Sequence, residues 1–134
     1  MEESKLTVLW VSTGKAPVVK EIDADLEKMQ SMVGGNIQYL PMGDAAAIIC
    51  NEEGKIKGLP LNRALYDSNG RLFDIVAGDF FICYAPPEKD DFCSLPGDLI
   101  RKYKKQFQYP ESFAMGKSGI EVMKIKPKSK GLER

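Results

Sequence analysis

The sequence contains no histidine in its 134 residues. That removes Ser-His-Asp and Cys-His catalysis, imidazole acid–base chemistry and His-ligated zinc. Cysteine is scarce as well, with three residues, Cys50, Cys83 and Cys93, and no CxxC spacing. An odd count without paired spacing argues against a disulfide framework or a metal site. Cys50 and Cys83 sit in apolar runs, where Cys behaves as a small hydrophobe. There is one tryptophan, Trp10, expected in the core. No run of about 18 apolar residues exists, so no transmembrane helix and no membrane partner are expected. The N-terminus, MEESKLTVLW, is acidic and then apolar, whereas a secretory signal begins basic. The expected location is the cytoplasm. No cofactor motif is present and no cofactor is expected. Gly14-Lys15 follows a strand but lacks the P-loop spacing and the Ser or Thr after the lysine.

The chain has the length of one domain able to bury a core without staples. Its formal net charge is zero but unevenly spread. Residues 1–100 carry 9 Lys and Arg against 16 Asp and Glu, and residues 101–134 carry 10 against 3. A basic end can meet an anionic partner or lie on the acidic body. The tail lysines and arginine (Lys124, Lys126, Lys128, Lys130, Arg134) lack interleaved aromatics. The acidic body would repel phosphates, so nucleic acid is not the expected partner.

Alternation and turn signals predict strands at Leu6–Ser12, Val18–Ile22, Asn36–Leu40 and Ala45–Cys50. Asp23 reads as the N-cap of a helix over Ala24–Val33, with Leu26, Met29 and Val33 as its apolar stripe and Gly34-Gly35 as its stop. Pro60 bars a central strand, so Leu61–Leu65 reads as an irregular or helical turn. Leu72–Val76 and Asp79–Tyr84 read as one strand interrupted by Ala77-Gly78, the glycine marking a bulge or close backbone approach. Ser94 reads as the N-cap of a second helix, Leu95–Phe107. Glu121–Lys126 reads as an edge strand, and Pro127–Arg134 as a flexible basic tail. The expected fold is α+β: a mostly antiparallel mixed sheet with two helices on one face. Residues 1–110 form the domain, and 111–134 the edge strand and tail.

The segment Ala45–Ala85 organises the rest and carries the candidate site. Asn62-Arg63 follows the rigid Gly58-Leu59-Pro60 bend. An arginine fork beside an amide suits a phosphate or carboxylate plus a base edge. Gly58 would allow close backbone approach, and Tyr66 and Arg71 would be neighbours if the hairpins stack. The alternative is that Arg63 pairs with Asp67 or Asp74 while Asn62 caps a turn. Glu52-Glu53 reads as a solvated turn tip. Asp74 and Asp79, with Glu52, are the candidates for a metal-dependent nucleotide-processing enzyme.

Several of these features also resemble a known family. They are the helix Asp25-Leu26-Glu27-Lys28-Met29-Gln30 with Val33-Gly34-Gly35, then Ile37 and Cys50-Asn51-Glu52-Glu53-Gly54-Lys55. Gly58-Leu59-Pro60-Leu61-Asn62-Arg63 and the Ile75, Gly78, Phe80 spacing complete them. Over residues 6–84 this resembles an uncharacterised domain family of bacteriophages, plasmids and conjugative elements, also found within phage polyvalent proteins. The resemblance brings no catalytic residues. It implies a mobile-element accessory protein in the bacterial host cytoplasm, of the kind that counters host defences. Two binder readings follow. One is sequestration of an anionic, nucleotide-derived signalling molecule by a homo-oligomer, a dimer or larger. The other is an inhibitor or adaptor that blocks a host defence protein.

Overall fold

The computed structural model describes residues 4–127. Nine strands and two helices are arranged within them. Five strands form the main sheet: β1 (Lys5–Val11), β2 (Val18–Asp23), β3 (Ile37–Pro41), β4 (Ala46–Asn51) and β7 (Phe80–Tyr84). Their spatial order is β2-β1-β7-β4-β3. Two ribbons complete the sheets: β5 (Leu61–Tyr66) with β6 (Leu72–Ala77), and β8 (Glu111–Gly116) with β9 (Gly119–Lys124). Every strand pairing among the described residues is antiparallel. The fold is α+β with a large antiparallel sheet.

The helices do not share a face. Helix α1 (Leu26–Val33) buries Met29 and Val33 against Leu6, Val8, Ile49 and Phe81. Helix α2 (Gly97–Gln106) places Tyr103, with the following Phe107, against Leu9, Ile48, Phe80 and Ile82. The same strands supply both sets through their period-2 alternation, so the two cores lie on opposite faces of the sheet. The β5–β6 ribbon joins the α2 side through Leu65 and Val76. The expectation of two helices on one face is thereby corrected. Strands β1, β4 and β7 are apolar on both sides, as a doubly covered sheet requires.

The remaining departures have local causes. Asp25, not Asp23, caps α1, its carboxylate accepting from Lys28 N at 2.7 Å. Asp23 ends β2 and pairs with Lys5 Nζ at 2.6 Å. Leu26 leaves the stripe and is 56% exposed. Ser94 does not cap α2; its Oγ accepts from Thr7 N at 2.8 Å, and Pro96 holds the cap position. Leu61–Tyr66 is a strand, because Pro60 precedes the ladder and costs it no donor. Asn62, Arg63, Ala64 and Leu65 are all buried, which erases the alternation that would announce β5. Leu72–Tyr84 is not one strand. At Gly78 (φ 85°) the chain leaves the β5–β6 ribbon for the main sheet, and a Cβ there would stand 2.8 Å from Leu59 Cδ1. The edge strand expected near Glu121 is one arm of a hairpin whose other arm is β8.

Asp44 ties α2 to the sheet. Its Oδ2 accepts from Lys102 Nζ and Tyr103 Oη, both at 2.7 Å, and its Oδ1 accepts from Ala46 N at 3.1 Å. Burial alone would raise the Asp44 carboxyl, but these three donors outweigh it and hold the group below the usual carboxylate range. Burial, and then the bond to Asp44, pushes the Tyr103 phenol up. A depressed carboxyl stabilises the fold above its unfolded pKa of about 3.9 and loses that contribution as pH falls through the folded value. A raised phenol contributes below its unfolded pKa of about 10 and loses its share as pH rises. Urea midpoints of the wild type should therefore fall more steeply on acidification below about pH 4 than those of Asp44→Asn. Parallel acid profiles would remove the role given to Asp44.

The residue after Asp44 is strained. Ala45 has φ 69°, the only non-glycine positive φ among the described residues. Its carbonyl accepts from Ala85 N at 2.6 Å, which holds the turn in place. A left-handed alanine costs about 1–2 kcal/mol, part of which glycine forfeits in unfolded-chain entropy. Ala45→Gly should raise stability by about 0.5–1 kcal/mol, visible as a thermal midpoint a few degrees higher. An unchanged or lower midpoint would contradict the strain.

Candidate functional site

The structure separates the five residues singled out in the sequence. Asn62 and Arg63 are fully buried. Gly58 (φ 73°) closes an exposed turn, its N–H donating to Lys55 O at 3.1 Å. Tyr66 and Arg71 lie towards the far tip of the β5–β6 hairpin, where Asp67 Oδ1 accepts from Arg71 N at 2.9 Å. These positions do not converge on one ligand.

A β-bulge explains the Asn62-Arg63 pair. Leu61 opposes Ala77 and Arg63 opposes Val76, so Asn62 is the extra residue. Neighbouring strand side chains normally point apart, but a bulge cancels the alternation. Here Arg63 Nη1 donates to Asn62 Oδ1 at 2.7 Å. Asn62 Nδ2 in turn donates to Val11 O at 3.0 Å and Gly78 O at 2.9 Å, joining the ribbon to the main sheet.

Arg63 has no donor left for a ligand. Its Nε and Nη2 donate to Phe107 O at 3.2 and 2.9 Å, Nη2 also to Lys15 O at 2.7 Å, and Nη1 also to Asn62 O at 3.3 Å. Neither Asp67 nor Asp74 forms an ion pair with it. Phe107 is the C-cap of α2, so the guanidinium sits against the negative end of that helix. Burial pulls the Arg63 pKa down, and the negative Glu111 draws it partly back. Glu111 is itself buried and accepts from Ala64 N at 2.8 Å, taking the place of a neighbouring strand. The reading of Asn62 and Arg63 as ligand contacts is corrected: their polar groups are consumed inside the protein.

What Arg63 joins is nevertheless informative. One of its nitrogens, Nη2, bridges Lys15 O in the β1–β2 turn and Phe107 O at the end of α2. Those two segments form the walls of a shallow groove of about 350 Å³. Ala16 and Pro17 stand on one side, and Arg101, Lys104, Lys105 and Gln108 on the other. Arg101, Lys104 and Lys105 follow i, i+3, i+4 and share one face of α2, opposite Tyr103, and Gln108 lies just past the helix end. Arg101, Lys104 and Lys105 are exposed and make no ion pair among the described residues. The sequence contained this cluster, but cations late in a helix also suit its dipole. Only the β1–β2 turn lying alongside makes it a groove.

A second concavity, of about 1140 Å³, lies on the α1 side. It runs between α1 and the 86–93 loop, with Leu26, Met29, Ile37 and Phe92 among its apolar lining and Asp25, Glu88, Asp90 and Asp91 among its carboxylates.

The enzyme candidates are dispersed. Asp74 pairs with Lys55, and Asp79 accepts from Thr13 N at 3.0 Å. Among the described residues no three His, Cys, Asp or Glu residues gather as metal ligands. Burial pushes the Cys50 thiol up to about 11 and the Cys83 thiol up to about 12, which keeps both protonated at neutral pH. Lys124 opposes Glu111 in the hairpin, and Lys126 Nζ lies 5.4 Å from the Tyr109 ring centre. Lys128, Lys130 and Arg134 lie outside the described residues. No helix among the described residues is long and apolar enough to cross a membrane.

Fold and surface together define a small antiparallel α+β domain with two oppositely charged concavities on opposite sides of its sheet. The chain belongs to the family described as "Domain of unknown function (DUF3846)", which matches residues 6–108. The match runs beyond the 6–84 resemblance and takes in α2 and its cationic face, but not the β8–β9 hairpin. No curated protein and no solved structure matches the chain.

Proposed function

We propose that the protein is a non-enzymatic binder that captures a phosphorylated, nucleotide-derived small molecule in the α2 groove. The observation that carries this reading is the set of three unpaired cations on one helix face, held beside the β1–β2 turn by a buried arginine. Phosphate oxygens would meet Arg101, Lys104 and Lys105, and the flat Ala16-Pro17 wall would meet the less polar part of the ligand. Arg63 fixes the two walls and touches no ligand. A sequence without histidine, with its buried thiols protonated, supports binding over turnover.

The groove is shallow, so tight capture calls for a second wall. A homo-oligomer that closes one copy's groove with another copy is part of the proposal. The setting is also part of it: a bacteriophage, plasmid or conjugative-element protein that counters host defence in the bacterial cytoplasm. That setting rests on the resemblance over residues 6–84. The second reading, an inhibitor of a host defence protein, is favoured by the acidic concavity on the α1 side.

Native mass spectrometry of protein purified from defence-active bacterial cells tests the proposal. A multimer carrying a small mass that denaturation releases is the expected result. A ligand-free monomer, or a ligand-free one-to-one complex with a host protein, would overturn it.

A further inference from the structure

The α1-side concavity is built unlike the cationic groove, and it fits a different kind of partner. Its rim carries Asp25, Glu88, Asp90 and Asp91 against the single cation Lys89. Asp25 is occupied in capping α1. Glu88, Asp90 and Asp91 are exposed and make no ion pair among the described residues. An anionic ligand would meet uncompensated negative charge here.

The lining is apolar where it could have been polar. Leu26 occupies the first turn of α1, a position where a polar residue would serve the helix equally well, yet it is 56% exposed at the cleft. Phe92 faces Tyr39 across the neighbouring surface, their ring centres 6.1 Å apart, which sets one wall in place. The 86–93 loop is also tied down at its end. Tyr84 and Cys93 exchange backbone hydrogen bonds at 2.9 and 2.7 Å, and Leu95 N donates to Thr7 O at 2.8 Å. The cleft therefore has a rigid margin, an apolar centre and a negative rim.

We infer that this cleft docks a segment of a partner protein in which lysine or arginine flanks aliphatic or aromatic side chains. The apolar side chains cover Leu26, Met29 and Phe92. The cations meet Glu88, Asp90 and Asp91. Charge complementarity selects this occupant: each unpaired carboxylate repels an acidic segment, and an uncharged one would leave the rim unanswered. The arrangement follows the general anatomy of interfaces, with an apolar centre and a charged rim. Because the cleft and the α2 groove lie on opposite sides of the sheet, both can be occupied at once.

The test uses a random dodecapeptide display library as the probe. It is panned on the full chain and on the exposed-loop variant Glu88→Gln/Asp90→Asn/Asp91→Asn. The expected result is enrichment of peptides combining Lys or Arg with aliphatic or aromatic residues on the wild type and not on the variant. Selected peptides, made synthetically, should shift backbone amide resonances of residues 24–29, 84–85 and 88–93, and should bind the variant at least about tenfold more weakly. Leu26→Ser should weaken them too, which separates docking from plain charge attraction. Enrichment without basic residues, equal enrichment on the variant, or shifts confined to other surfaces would each overturn the inference. So would no enrichment at all.

Discussion

Arg63→Ala is expected to lower folding stability by about 3–5 kcal/mol, in the range of large buried truncations that also strand hydrogen-bonding groups. A domain of this size has about 5–15 kcal/mol in total, so the variant would lose a large share of it and its urea midpoint should drop sharply. The loss has three sources. A fully buried large side chain leaves a cavity. The carbonyls of Phe107 and Lys15 lose their donor, as does Asn62 Oδ1. The negative end of α2 loses its facing positive charge. Arg63→Lys should recover little, because a compact ammonium cannot span Lys15 O and Phe107 O as a planar fork does. Arg63→Met, which keeps much of the volume, should fall between alanine and the wild type. Urea unfolding followed through Trp10, the sole tryptophan, reads all three. A stable Arg63→Ala protein with an unchanged urea midpoint would mean that the staple is unimportant.

Lys104→Glu/Lys105→Glu should have the opposite profile, with binding lost and folding kept. Both side chains are exposed and unpaired, so no packing is lost, and two glutamates at the negative end of α2 should cost about 0.3–1 kcal/mol each, too little to unfold the domain. Charge-assisted hydrogen bonds to an anion contribute about 1.5–3 kcal/mol each. Removing them and adding repulsion should weaken a phosphorylated ligand about 100-fold or more. The wild-type affinity should also fall as salt rises, since exposed charges are screened. Isothermal titration with ADP at two salt concentrations measures both effects. Equal ADP affinity in the variant and the wild type would remove the groove as the site.

Much of the fold was legible because its signals are local. The helix stopped by Gly34-Gly35 and the apolar runs at Leu6 and Ala45 each announce themselves within a few residues, although the helix cap fell on Asp25 and not on Asp23. Asn62 and Arg63 were legible as special but not as internal. A polar pair after Gly-Leu-Pro reads equally as a ligand fork or as a buried clamp. What decides is a carbonyl 44 residues away, at Phe107. The same distance hid β5, whose residues are buried on both sides by elements far along the chain. The assignment of both helices to one face failed for a related reason. β1, β4 and β7 carry apolar residues at odd and even positions alike, which signals two covered faces but not which helix takes which. The groove itself needed the β1–β2 turn beside α2, a neighbourhood that no short-range pattern encodes.

The most direct test of the central claim is an amide-resonance titration of the isotopically labelled full chain with ADP. The account predicts saturable shifts at Lys15, Ala16, Val18 and residues 101–108, with residues 62 and 63 moving only slightly and Arg63 staying unavailable to the ligand. Shifts centred on Gly58, Tyr66 and Arg71, or no saturable shifts at all, would contradict it.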